Sequence, residues 1–144
     1  MPKPALRPTS DEDPPEDVLR NIRVAYVQKA RLTHGGLERV AFLVDLGLVG
    51  VFVELAEPLP IGDRVELRFP LPGNDIPISA ACRVAWWHEP GREPRQFPPG
   101  IGLEFVEISD GDRARLRAHL IEHCRRPTRD RRFTRPWPPG DVVG

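Results

Sequence analysis

The chain has 144 residues, 21 basic and 21 acidic side chains, 18 prolines and two cysteines. That length suits one domain with its tails and argues against a second core, and the charge balance excludes a global field drawing the whole molecule to nucleic acid or an anionic membrane. No run approaches the roughly 18 apolar residues of a membrane span, and the opening MPKPALRPTSDEDPPED lacks the apolar stretch of a secretory signal, so a soluble cytoplasmic protein with Cys82 and Cys124 reduced is expected.

Residues 1–21 carry Lys3, Arg7 and Arg20 against Asp11, Glu12, Asp13, Glu16 and Asp17, a net of −2. They are Pro-rich and lack periodic apolar residues, so they read as a flexible acidic segment. A core is expected over 22–124. It opens with Ile22, Val24 and Tyr26 alternating with Arg23, Ala25 and Val27, the period of a strand with one buried face. His34-Gly35-Gly36 supplies a turn. The next run places Val40, Phe42, Val44 and Leu46 on one face. Gly47 and Gly50 interrupt it before Val49, Val51, Val53 and Leu55 resume, and glycines inside a strand pattern mark a bend or a close backbone approach.

Pro60-Ile61-Gly62-Asp63 turns the chain into Val65, Leu67 and Phe69, separated by Glu66 and Arg68. After the turn PLPGND at 70–75, Ile78, Ala80, Cys82, Val84 and Trp86 fall on one side of a long strand and Ser79, Arg83 and Trp87 on the other. A polar loop spans 89–98, and Ile101, Leu103 and Phe105 make the last strand. Ser109 and Asp112 form the S-x-x-D start of a helix with Leu116, Leu120 and Ile121 on one stripe, stopped by Pro127. Residues 125–144 read as a flexible basic Pro-rich tail, six Arg against Asp130 and Asp141, net +4. Six short strands and one amphipathic helix predict a mainly β protein, a small six-stranded antiparallel barrel capped by a C-terminal α-helix.

The segment DLGLVGVFVELAEPLPIGDRVELRF at 45–69, together with PGIGLEF from Pro99, resembles the PilZ domain family, small β-barrels whose typical ligand is cyclic di-GMP. The resemblance implies an Arg-x-x-x-Arg pair entering the first strand and an Asp/Asn-x-Ser-x-x-Gly motif between the second and third. In that family the arginines hold guanine edges and phosphates, for which a guanidinium fork is suited. Arg23 matches the second arginine, and Asp45 and Gly50 match the ends of the other motif. These three are the candidate ligand-binding residues. Leu19 stands at the first arginine position, with Arg20 one residue out of register, and Gly47 stands where the motif has Ser. Losing a hydroxyl and a charged hydrogen bond removes about 2 to 4.5 kcal/mol, on the order of two to three decades of affinity. The expectation is a PilZ-like signalling module acting as a protein-interaction adaptor, with cyclic di-GMP binding weak or lost. The alternative is a cyclic di-GMP receptor using Arg20, Arg23 and Asp45, and a third reading is a nucleic-acid-binding regulator acting through the basic tail.

Blander readings stand beside these. Arg23 and Asp45 also fit a surface salt bridge, and Gly47 and Gly50 fit a backbone bend that needs no ligand. His119 and His123, four apart beside Cys124, lack an evident third metal ligand, so no metal and no cofactor are expected. Neither a phosphate loop nor a nucleophile elbow is present, and no enzyme activity is expected. A protein partner is the favoured one. The outward member of the Trp86-Trp87 pair, and Phe133 and Trp137 in the tail, are candidate anchors for it.

Overall fold

The computed structural model describes residues 15–73, 75–92 and 98–124. Helix α1 (Glu16–Asn21) precedes six strands, β1 (Arg23–His34), β2 (Leu37–Gly47), β3 (Gly50–Glu54), β4 (Arg64–Phe69), β5 (Ile78–His88) and β6 (Gly100–Ile108), and α2 (Asp110–Cys124) follows them. The strands close into a barrel in the order β1-β2-β3-β6-β5-β4, each neighbour antiparallel, so the mainly β architecture expected from the alternation is the one formed. Closure rests on three register pairs, Arg31, Leu32 and Thr33 of β1 against Arg68, Leu67 and Glu66 of β4. It leaves the sheet without a free edge. Gly35 and Gly36, at φ 60° and 82°, form the two-residue turn between β1 and β2, where a side chain disfavours that backbone.

The interior is filled by alternate residues: Val24, Ala30 and Leu32 from β1, Leu43 and Leu46 from β2, Val51 and Val53 from β3, Val65, Leu67 and Phe69 from β4, with Ile78, Ala80, Cys82 and Val84 from β5 and Ile101 and Leu103 from β6. Leu116, Leu120 and Ile121 of α2 join the same cluster. Ser109 Oγ accepts the Asp112 N–H at 3.0 Å, so the S-x-x-D signature does start this helix. Tyr26 ties helix to barrel, its ring edge-on to His119 with centroids 5.1 Å apart and its hydroxyl donating to the Pro70 carbonyl at 2.5 Å.

Three expectations fail, each for a local reason. Residues 16–21 are helical rather than flexible: the acids Glu16 and Asp17 occupy the positive first turn, Arg20 the last, and Leu19 is fully buried in the barrel core. The face of β2 containing Val40 and Phe42 points outward, with Ala41 and Leu43 inside. A register shift between Leu43 and Asp45 then returns Leu46 to the interior. A second shift, between Val84 and Trp86, takes Trp86 off the inward set, and Trp87 packs against the core in its place. Strict alternation cannot register an inserted residue, and each insertion swaps the faces beyond it.

Candidate functional site

Arg23 is the first residue of β1 and lies opposite Gly47, and Ala25 lies opposite Asp45. Val24 and Leu46 between them face the core, so Arg23 and Asp45 are diagonal neighbours on the outer face. Arg23 Nη2 donates to Asp45 Oδ1 at 2.5 Å and Nη1 donates to the Gly50 carbonyl at 2.9 Å. The three candidate ligand residues are thus brought together, bonded to one another. Arg23 and Asp45 are each only 2% exposed. Burial lowers the Arg23 pKa from its ordinary value, and the charge and hydrogen bond of Asp45 oppose that shift. The surface salt bridge considered for these residues is therefore a buried one.

The two glycines of the motif have steric explanations, and neither has positive φ. A Cβ on Gly47 would lie 2.7 Å from Arg23 Nη1 and 3.2 Å from Arg23 Cδ, so the arginine occupies the space that a serine side chain would take. A Cβ on Gly50 would lie 2.2 Å from the Leu103 carbonyl oxygen, where β6 runs against β3. Close approach, rather than a bend in the backbone, explains both positions.

At the first arginine position, Leu19 is a core residue, and Arg20 is exposed at the end of α1. That helix is held by Leu19, by the Ile22 N–H bonded to the Leu19 carbonyl, and by an ion pair from Glu16 Oε1 to Arg117 Nη2 of α2 at 3.1 Å.

Sequence reasoning missed what continues the row. In register, Ala25 lies opposite Asp45, Asp45 opposite Phe52, Phe52 opposite Gly102 and Gly102 opposite Trp86, so one outer row crosses five strands. Phe52 and Trp86 stack with centroids 5.0 Å apart and planes at 22°, meeting across the strand on which Gly102 offers no side chain. Both are buried although they point away from the barrel interior. The cue was Gly100-Ile101-Gly102, two glycines two apart and therefore on one face. His119 packs on Tyr26 and His123 is buried on α2, and among the described residues no group of three possible metal ligands gathers. The basic tail, with Phe133 and Trp137, lies outside the described residues. No helix among the described residues is long and apolar enough to cross a membrane.

A small closed barrel with an arginine at the mouth of its first strand and an aspartate and glycine bracketing the β2-β3 junction is the arrangement expected of a PilZ-type barrel. The PilZ domain model matches residues 19–122, and the chain belongs to that family. The fold is similar to that of the Bacillus subtilis inhibitor of motility MotI/DgrA, with a TM-score of 0.62 and 20% identity. That match covers 73% of this chain and 50% of the other, so this chain spans about half the length of its structural neighbour. No curated protein matches the sequence.

Proposed function

We propose that this PilZ domain is a protein-interaction adaptor in which the nucleotide site has been converted into a structural ion pair. One observation carries the reading: the Arg23 guanidinium, the one family arginine in register, is buried and already bonded to Asp45 and to the Gly50 carbonyl. A nucleotide would have to separate this pair, exposing one charge and leaving the other short of its partner, before gaining any contact of its own. Leu19 in the core supplies no second guanidinium. Gly47 supplies no hydroxyl.

A structural neighbour named as an inhibitor of motility makes a component of bacterial motility the first protein partner to test. Isothermal titration with cyclic di-GMP is the direct measurement. The adaptor reading expects no saturable heat at tens of micromolar nucleotide. A one-site isotherm in the low micromolar range, lost in Arg20→Ala and in Arg23→Ala, would restore the receptor reading.

A further inference from the structure

The same strand that buries Arg23 at one end presents a different surface further along. On the outer face, Lys29 lies opposite Phe42, Arg31 opposite Val40, and Arg31 on its other side opposite Arg68 of β4. Val27, Val40 and Phe42 are exposed at 76%, 52% and 46%. Placing two arginines directly across a strand pair opposes folding. The nearby carboxylates relieve it only in part: Glu38 approaches Arg31 at 3.5 Å between exposed side chains, and Glu66 turns to Arg64. Among the described residues neither Lys29 nor Arg68 joins an ion pair. Glu54, opposite Phe42, marks the far side of the patch. A groove of about 350 Å³ runs between the two arginines, floored by Leu67 and Ala80 and edged by Thr33, Glu38, Glu66 and Ser79.

We infer that this β2-β1-β4 face is the docking surface for an acidic segment of a partner protein that carries apolar side chains, its carboxylates meeting Lys29, Arg31 and Arg68 and its apolar groups covering Val40 and Phe42. Two cations outside any ion pair among the described residues, Lys29 and Arg68, and a third, Arg31, held only by the exposed Glu38, stand beside three exposed apolar side chains and match such a segment in both charge and hydropathy. Nucleic acid fits less well, because a phosphate backbone following the cations would leave the aliphatic Val27 and Val40 among them uncovered. The inference rests on the adaptor reading only in naming a protein as the occupant, and its test is independent of nucleotide titration.

Amide chemical shifts of the full chain, followed during titration with a synthetic peptide alternating glutamate and leucine, test the surface. Saturable shifts centred on Arg31, Val40, Phe42 and Arg68 are expected. Affinity should fall about tenfold or more in Arg31→Glu/Arg68→Glu and also fall in Phe42→Ala, and a polyglutamate peptide of the same length should bind more weakly than the alternating one. Shifts scattered over the barrel, or unchanged affinity in the double variant, overturn the proposal. Tighter binding of single-stranded DNA or of phosphatidylglycerol vesicles at these residues would assign the face to another class of partner. Movement of the same resonances in Asp11→Asn/Glu12→Gln/Asp13→Asn without peptide would place the occupant in this chain's own acidic segment, and would equally refute a partner protein.

Discussion

Truncating Asp45 to alanine removes the carboxylate 2.5 Å from Arg23 Nη2 and leaves a guanidinium that is 2% exposed without its countercharge. Breaking a buried pair from one side costs about 3 to 5 kcal/mol, because the remaining charge stays desolvated. The hydrogen bond to the Gly50 carbonyl persists but does not neutralise that charge. Against a typical domain stability of about 5 to 15 kcal/mol this is a large fraction, and with a urea slope of about 2 kcal/mol per molar it lowers the midpoint by about 2 M. Arg23→Met, leaving the carboxylate behind, should cost a similar amount. The double variant Arg23→Met/Asp45→Leu replaces both charges with apolar groups of comparable bulk and forfeits chiefly the Gly50 bond, about 1 to 3 kcal/mol. A four-cornered cycle measured by urea unfolding should therefore give a coupling of about 3 kcal/mol or more, the double variant being more stable than either single one. Single costs under about 1 kcal/mol that simply add would refute the reasoning, since they describe an arginine that is loosely held and available to a ligand.

Restoring the family's serine with Gly47→Ser should destabilise the domain by about 1 to 3 kcal/mol, read by the same urea assay, because the new side chain meets Arg23 Nη1 at 2.7 Å in a packed site. Ser109→Ala removes the acceptor for the Asp112 N–H and should cost about 1 kcal/mol, seen as a lowered Tm with unchanged β-sheet circular dichroism. Burial pushes the Cys82 thiol up from 9.0 to about 12, so the unfolded chain loses this proton first and stability should fall as pH rises from 9 towards 12, by about 1.4 kcal/mol per unit from this group. Tyr26, also raised by burial, acts in the same direction, so the readout is the shallower alkaline slope of Cys82→Ala relative to wild type.

Element types were legible wherever alternation was unbroken. Val65, Leu67 and Phe69, or Ile101 and Leu103, could be assigned to the interior from spacing alone, and Ser109 announced its helix. Errors began at the irregular residues: beyond the shift at Val84 the two tryptophans exchange faces, and short α1 has a single buried residue, too little periodicity to be seen. The candidate site was legible as a set of residues but not as a state. Arg23 followed by an apolar residue reads identically whether its guanidinium faces solvent or a buried carboxylate.

The order of apolar and polar residues along the chain determined that there would be six strands, a final helix and PilZ-type motifs lacking one arginine and one hydroxyl, because these follow from local periodicity and from which residues are present. Tertiary structure decided the rest. The bulge between Ala25 and Gln28 in the β1-β2 hairpin shifts the register that brings Arg23 onto Asp45, while β6 running against Gly50 and closure aligning Arg31 with Arg68 depend on which distant backbone lies within hydrogen-bonding reach.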